Sequence, residues 1–329
     1  MTDRQVIAII GGGAWGTALA AVAARKGHDT RLYAREQQTV EAINKRQENR
    51  AYLPGIALPP QLKATNSLEQ ALDGADLTLI AVPAQTLRQL TQQIKAHLQP
   101  GVPLVLCSKG IEKGTGRFIS QVVAEELPDA PVAILSGPSF AMDVARGLPT
   151  AVTLAASDVE LADSLAATLS SETLRIYASS DVTGVEAGGA IKNVLALAAG
   201  TIAGRGLGAS AGAAVITRGF VELRRLGEAL GARTETLMGL SGLGDLVLTC
   251  SSAQSRNFAY GMAVGRGEDL TALKLAEGVH SASVAARIAR EHGIDAPIIQ
   301  TVAEVLEGTV SLDEAIRALL TRPLKREID

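Results

Sequence analysis

The chain has 329 residues, which corresponds to roughly two domains, since one domain takes about 150 residues. Hydrophobic residues make up 47% and charged residues 20%, a balance that excludes a disordered chain. With 31 basic and 34 acidic side chains the net charge is −3, which argues against nucleic acid or an anionic membrane as a partner.

Strand and helix patterns alternate through the first half of the chain. Strands are predicted at 6–10, 30–34, 77–82, 102–107, 131–135, 150–155 and 174–177. Helices are predicted between them at 14–25, 86–98, 116–127 and 159–169. This alternation is typical of βαβ units with right-handed crossovers, and it predicts an α/β fold with a Rossmann-type, doubly wound parallel sheet.

The pattern changes near residue 181. No strand is predicted from residue 185 onward, and helices are predicted at 186–203, 211–230, 281–292, 297–306 and 312–320. We therefore predict an α/β domain at 1–184 and an all-α substrate and catalytic domain at 185–329. The cleft between two such domains is the expected place for an active site.

The two cysteines, Cys107 and Cys250, form neither a CxxC pair nor a Cys/His cluster, so no disulfide framework and no metal site is predicted. The first apolar run has five residues and ends at a glycine cluster, unlike a signal peptide. The uncharged stretch between Lys192 and Arg205 is shorter than the ~20 residues of a membrane span. We expect a cytoplasmic protein with no membrane span.

The first predicted strand runs into a GxGxxG pattern, Gly11-Gly12-Gly13-Ala14-Trp15-Gly16, that opens a helix. In such a turn Gly11 permits the tight bend, Gly13 lets the backbone approach a pyrophosphate, and Gly16 allows close helix packing. The helix N-terminus adds unpaired N–H groups. A flexible glycine-rich loop is the alternative, but the position after the first strand favours dinucleotide binding by residues 1–184.

Arg35 and Glu36 follow the second predicted strand, at the position that distinguishes NAD from NADP in such folds. An acidic residue there accepts from the ribose 2′-OH of NAD, whereas an arginine pairs with the 2′-phosphate of NADP. Arg35 therefore predicts NADP, and Glu36 leaves NAD open. The alternative for Arg35 is a solvated surface charge.

Lys192 is the only charged residue in the helical stretch 187–203. Ketone reduction needs a proton, and a lysine ammonium can polarise the carbonyl and then donate that proton. With its neighbour Asn193, which can bond substrate or a cofactor amide, and with Asp245, it forms our candidate catalytic set. A lysine at a helix edge that reaches into solvent is the alternative for Lys192, and a helix N-cap is the alternative for Asp245.

The pKa of Lys192 is left open by the sequence. A carboxylate from Asp245 beside it would favour the charged ammonium, whereas burial and the charge of Lys109 would oppose it.

Three other segments carry polar groups at places where ligands bind. Lys109 and the turn Gly137-Pro138-Ser139 follow predicted strands. Ser255-Arg256-Asn257 precedes a helical stretch, and an arginine fork at a helix N-terminus suits a phosphate. The alternatives are a surface lysine, a simple chain reversal and a plain serine N-cap, and Glu277 by itself reads as a surface acid.

Several of these segments together resemble one family. The segments GGGAWGTALA (11–20), SKGIE (108–112), SGPSFA (136–141), AIKNV (190–194), GLGDL (242–246) and SRN (255–257) resemble, in order, those of bacterial NAD(P)-dependent glycerol-3-phosphate dehydrogenases. The resemblance covers essentially the whole chain. It implies reversible reduction of dihydroxyacetone phosphate to sn-glycerol 3-phosphate with NADP or NAD, for glycerophospholipid synthesis, by a homodimer.

The resemblance also implies roles for single residues, with Lys192 as the proton donor or acceptor. The implied cofactor contacts are Ala14, Trp15, Arg35, Lys109, Ala141, Arg256, Leu275 and Glu277. The implied substrate contacts are Lys109, Gly137, Ser139, Lys192, Asp245, Ser255, Arg256 and Asn257.

Two other functions are compatible with part of the pattern. A dehydrogenase of similar layout that acts on a 3-hydroxy acid or on ketopantoate would need an anchor for a carboxylate instead of a phosphate. A non-catalytic dinucleotide sensor would keep the glycine turn but would have no need for Lys192 together with Asp245.

Overall fold

One eight-stranded sheet forms the amino-terminal half of the computed structural model, which describes residues 4–271, 273 and 276–323. Its strands are β1 (Val6–Ile10), β2 (Asp29–Tyr33), β3 (Lys63–Thr65), β4 (Leu77–Ile80), β5 (Leu104–Leu106), β6 (Val132–Ser136), β7 (Thr150–Ala156) and β8 (Leu174–Ser179). They lie in the order β3-β2-β1-β4-β5-β6-β7-β8. The first six strands have the order of a Rossmann fold, in which the chain reverses its direction of winding between β1 and β4.

Helices cover both faces of this sheet. They are α1 (Ala14–Arg25), α2 (Gln37–Arg46), α3 (Leu68–Leu72), α4 (Leu87–Ile94), α5 (Ile119–Glu126), α6 (Ala141–Arg146) and α7 (Val159–Leu169). Side chains alternate between the faces along β1, so Ile7 and Ile9 join the core with α1, whereas Ala8 and Ile10 join the core with α4. Because both faces are buried, β1 is a continuous apolar run.

One pair of strands departs from the predicted parallel sheet. β7 runs antiparallel to β6, while the other neighbouring strands are parallel. The connecting helix α6 has six residues and spans about 9 Å. Because β7 is antiparallel to β6, the chain re-enters the sheet at the edge where it left.

No element is predicted between residues 35 and 76, yet α2, β3 and α3 lie there. β3 has three residues and α3 has five. Both are too short to show the alternating pattern of a strand or the 3.6-residue pattern of a helix.

The carboxyl-terminal half is helical. Its helices are α8 (Val182–Gly204), α9 (Ala209–Ala229), α10 (Thr234–Leu237), α11 (Asp245–Cys250), α12 (Arg256–Arg266), α13 (Glu277–Glu291), α14 (Pro297–Glu307) and α15 (Leu312–Leu320). Within the described residues no strand follows β8, as predicted. A π-helical turn, Leu240–Gly244, leads into α11.

α8 is the central helix of this half, and α9, α11, α12 and α13 pack around it. Length and composition alone would let α8 span a membrane, but 72% of its apolar window is buried inside the fold. It therefore has the character of a core helix, and it carries both Glu186 and Lys192.

Candidate active site

Loops at the carboxyl-end edge of the sheet meet α8. Lys109 lies shortly after β5 and Gly137 directly after β6. A Cβ atom on Gly189 of α8 would lie 2.7 Å from Ser136 Oγ and 3.6 Å from Lys109 Cγ, which shows how closely the helix approaches these strand ends. This contact brings the predicted catalytic residues of the helical half to the predicted ligand edge of the sheet.

The Asp245 carboxylate lies between two lysines. Its Oδ1 accepts a hydrogen bond of 2.8 Å from Lys192 Nζ, and its Oδ2 accepts one of 2.7 Å from Lys109 Nζ. Lys192 is 5% exposed and Asp245 is 1% exposed, so the interpretation of Lys192 as a solvent-reaching lysine is wrong. Lys109 also donates to the carbonyl oxygen of Gly137 at 3.0 Å, and Ser139 Oγ donates to the same oxygen at 3.0 Å.

Thr249 completes the surroundings of the ammonium group and was not singled out from the sequence. Its Oγ1 accepts from Lys192 Nζ at 2.6 Å and donates to Asp245 Oδ1 at 3.3 Å. The available signal was its spacing: Thr249 lies four residues after Asp245, and such a pair shares one face of a helix.

The balance that the sequence left open is resolved as a lowered pKa of Lys192. Burial has the largest effect and lowers the pKa of Lys192, the Asp245 carboxylate raises it, and the positive charge of Lys109 lowers it, which together give a pKa of about 8. The group is therefore able to both donate and accept a proton near neutral pH.

The π-helical turn sets the position of Asp245. Asp245 is the first residue of α11, and its carboxylate is bonded to the two lysines, so the N-cap interpretation is wrong. On the facing helix a Cβ atom at Gly188 would lie 2.7 Å from the carbonyl oxygen of Ser241. Glycine at 188, one turn before Lys192, is what lets α8 approach this turn.

Asn193 and Asn257 join three helices behind the lysine. Asn257 Nδ2 donates to Asn193 Oδ1 at 2.8 Å, and Asn257 Oδ1 accepts from the backbone N–H of Gly278 at 2.9 Å. Asn193 Nδ2 also donates to the carbonyl oxygen of Gly189 at 3.3 Å. The two amides thus fix α8, α12 and the start of α13 relative to one another.

Ser255 and Arg256 lie at the N-terminus of α12. Ser255 Oγ accepts from the backbone N–H of Phe258 at 3.3 Å, so Ser255 is a helix N-cap. Arg256 is the first residue of the helix and its side chain is exposed.

The glycine turn leaves room for a ligand in front of α1. Gly11 has φ +129°, and a Cβ atom on Gly16 would collide with the carbonyl oxygen of Gly11. A Cβ atom on Gly13, by contrast, would meet no atom of the described residues within 4 Å. Trp15 Nε1 in the same turn is buried without a hydrogen-bond partner among the described residues. Open space at a helix N-terminus, with a spare donor, fits a dinucleotide pyrophosphate.

The remaining predicted cofactor residues are spread around this edge. Arg35 follows β2 with its side chain 87% exposed, and its Nη2 pairs with Glu36 Oε1 at 2.9 Å. Ala141 begins α6. Glu277 begins α13, and burial raises its pKa while nearby Arg256 opposes that rise, so the interpretation of Glu277 as a surface acid is wrong. Leu275 lies outside the described residues.

Comparisons with known proteins identify the family. The model of the NAD-dependent glycerol-3-phosphate dehydrogenase N-terminus matches residues 6–162, and that of the C-terminus matches residues 181–317. A Mesorhizobium japonicum protein named glycerol-3-phosphate dehydrogenase [NAD(P)+] is 60% identical over 321 residues, which are 98% of this chain and 93% of that protein. A Brucella ovis protein of the same name is 58% identical, with 98% of each chain covered.

The fold is matched as well. The crystal structure of glycerol-3-phosphate dehydrogenase from Coxiella burnetii superposes with a TM-score of 0.91 at 39% identity, covering 97% of this chain and 99% of that one. Both halves of the molecule and nearly its full length are therefore matched. The chain belongs to the NAD-dependent glycerol-3-phosphate dehydrogenase family.

Proposed function

We propose that this protein catalyses the reversible, NAD(P)H-dependent reduction of dihydroxyacetone phosphate to sn-glycerol 3-phosphate. The observation that carries the proposal is the buried Lys192 ammonium, held by Asp245 and Thr249 at the carboxyl-end edge of a dinucleotide-type sheet. The names of the relatives, glycerol-3-phosphate dehydrogenase [NAD(P)+], support the same substrate pair.

In the proposed mechanism Lys192 is the acid–base catalyst. The reduced nicotinamide, when bound, supplies a hydride. Lys192 polarises the substrate carbonyl and donates the proton from Nζ to the oxygen that becomes the alcohol. In the reverse direction the neutral amine accepts that proton. Asp245 stabilises the charged form, and Asn193, bonded to Asn257, fixes the segment of α8 that carries the lysine.

The phosphate end of the substrate is the proposed ligand of the α12 N-terminus. Ser255 caps this helix and Arg256 starts it, so a guanidinium and the positive end of a helix dipole lie together. Asn257 lies beside them. Lys109, Gly137 and Ser139 are the proposed contacts near the carbonyl end, since Lys109 and Lys192 share the Asp245 carboxylate.

The proposed cofactor is NADP, with NAD also accepted. The glycine turn fits the pyrophosphate, and Arg35 at the end of β2 is the proposed contact for a 2′-phosphate. Ala14, Trp15, Lys109, Ala141, Arg256, Leu275 and Glu277 are proposed as further contacts.

We also propose a division into a dinucleotide-binding domain at 1–184 and a substrate domain at 185–329. In support, the sheet ends with β8 and α8 begins at Val182.

A cytoplasmic location is proposed because Cys107 and Cys250 are both buried free thiols, as suits a reducing compartment. A homodimer is proposed from the family resemblance and is tested by light scattering of the purified protein. Synthesis of glycerophospholipids is the proposed use of the product.

The test is oxidation of NADPH, followed by its absorbance, with purified protein and three substrates. We expect turnover with dihydroxyacetone phosphate and little with unphosphorylated dihydroxyacetone or ketopantoate. Faster turnover of ketopantoate would overturn the proposal in favour of a carboxylate-anchoring reductase. Tight NADPH binding with no turnover of any of the three would favour a sensor.

A further inference from the structure

Asn49 is a buried residue that none of the roles above uses. It lies in the segment 47–62 that connects α2 to β3, and its side chain is almost fully covered, with 1% of the residue exposed. Its Nδ2 donates to the carbonyl oxygen of Gly12 at 3.0 Å and to Thr17 Oγ1 at 2.9 Å. Both acceptors belong to the glycine turn and the first turn of α1, although they are 37 and 32 residues away in sequence.

The same segment also holds the other end of α1. Gln61 Nε2 donates to the carbonyl oxygen of Ala24 at 2.9 Å, in the last turn of the helix. The segment is anchored between these two bonds, because Leu53 and Leu62 are buried at 1% and 2% exposure in the core that contains α1. Asn49 and Gln61 thus bracket the helix whose N-terminus faces the space in front of Gly13.

We infer that Asn49 is a positioning residue for dinucleotide binding. The inference rests on the proposed function only in taking NAD(P)H as the ligand. The amide of Asn49 holds the carbonyl of Gly12 in place, and this keeps the N–H groups that follow Gly13 in position for a pyrophosphate. Without that amide, Thr17 Oγ1 loses its donor and the carbonyl oxygen of Gly12 keeps only, among the described residues, the 3.4 Å bond from Thr17 Oγ1, so the turn relaxes toward geometries that binding must reverse.

The position of these contacts determines which affinities change. Asn49 holds the glycine turn, which is the proposed contact for the pyrophosphate, and NADPH, NADH and ADP-ribose all carry this pyrophosphate. A change at Asn49 therefore weakens all three by the same factor. Arg35 lies at the end of β2, so a change there selects against the 2′-phosphate alone.

The test compares Asn49→Ala with wild-type protein in direct binding. Trp15, the single tryptophan, lies in the turn, so its fluorescence reports ligand binding, and calorimetry provides an independent measurement. We expect the Kd values of NADPH, NADH and ADP-ribose to rise together by about ten-fold, the effect of roughly one lost hydrogen bond. At saturating NADPH, we expect kcat and the KM for dihydroxyacetone phosphate to stay at their wild-type values.

Gln61→Ala is the control at the far end of the helix, where it removes one side-chain bond to α1 from an exposed residue. A purely structural loss would lower the melting temperature of both variants but leave the Kd values alone, as we expect for Gln61→Ala. Should Asn49→Ala fail to fold, Thr17→Val removes one of the two acceptors with little change of shape, and a smaller rise shared by all three ligands is expected.

Unchanged Kd values in folded Asn49→Ala, or a loss confined to NADPH, would overturn the inference. Wild-type protein that binds neither NADPH nor NADH would instead overturn the proposed function, and the positioning role with it.

Discussion

Lys192 Nζ donates a hydrogen bond of 2.8 Å to Asp245 Oδ1, and the two residues are 5% and 1% exposed. Removing one partner of a buried ion pair costs about 3–5 kcal/mol, because the other charge is left uncompensated. Every substitution at this pair therefore has to be accompanied by a measurement of folding. Only a replacement that leaves the protein folded allows a change in kcat to be assigned to the lost side chain.

Lys192→Met is expected to lower kcat by at least ~10²-fold, the scale of a lost acid–base group. Methionine retains the length of the side chain and removes both the proton and the charge. NADPH should still bind, as measured by Trp15 fluorescence. Near-normal turnover in a folded Lys192→Met protein would contradict the assignment of Lys192 as the acid–base catalyst.

The two reaction directions are expected to have opposite pH profiles. Burial lowers the pKa of Lys192 to about 8, so the fraction of ammonium falls as pH rises through that value. Reduction needs the ammonium, so its kcat/KM should fall above pH about 8, whereas oxidation of glycerol 3-phosphate needs the amine and should rise.

Asp245→Asn provides the check on this pH dependence. The carboxylate raises the pKa of Lys192, so its removal should move both transitions to lower pH. Transitions that stay in place in the variant would show that another group titrates.

Arg35→Ala is expected to raise the Kd of NADPH by about ten-fold, with little change for NADH. The guanidinium is 87% exposed and bonded to Glu36, so solvent and that carboxylate both weaken its hold on a 2′-phosphate. Glu36→Gln is the companion variant, and it should tighten NADPH binding by freeing Arg35. An equal loss of both cofactors in Arg35→Ala would place Arg35 against the shared part of the dinucleotide.

Arg256→Ala is expected to remove most of the rate advantage of dihydroxyacetone phosphate over unphosphorylated dihydroxyacetone. Binding energy from a non-reacting phosphate serves orientation in the transition state, so its loss lowers turnover as well as affinity. The measurement is kcat/KM for both substrates in both proteins, a cycle between a side chain and a substrate group. NADPH must be saturating, and an equal loss on the two substrates would show that Arg256 does not read the phosphate.

Glu222 is expected to make stability fall as pH rises. Its carboxylate accepts from the backbone N–H groups of Ile298 and Ile299 at 2.9 and 3.0 Å, at the start of α14. Burial raises its pKa to about 7 from an ordinary value of 4.5, with Asp295 adding to the rise and Arg322 opposing it. The folded state thus binds the proton more tightly, and its stabilising effect is full below pH about 4.5 and lost as pH rises through about 7.

Thermal unfolding of Glu222→Gln at several pH values tests this expectation. The difference in melting temperature between wild type and variant should favour the wild type most at acidic pH and shrink toward pH 8. A difference that is constant with pH would rule out Glu222 as the titrating group.

Local patterns determined much of the molecule. The apolar run of β1 and the glycines that follow it are adjacent in sequence, and their geometry depends on backbone freedom and side-chain bulk within a few residues. The helical second half followed from its periodicity. Lys192 could be singled out because a charge in a long uncharged helix must be compensated by a partner.

The partners themselves were decided by tertiary packing. Asp245 is 53 residues from Lys192 and 136 from Lys109, and no local pattern fixes the angle at which α8 meets the π-helical turn. The antiparallel pairing of β7 with β6 was not visible in the strand pattern, and the contact of Asn49 with Gly12 depended on a loop that folds back over 37 residues. Periodicity in the sequence indicates which face of an element is buried. The pKa of Lys192 depends instead on its distances to the charges of Asp245 and Lys109, and only the packed tertiary structure sets these distances.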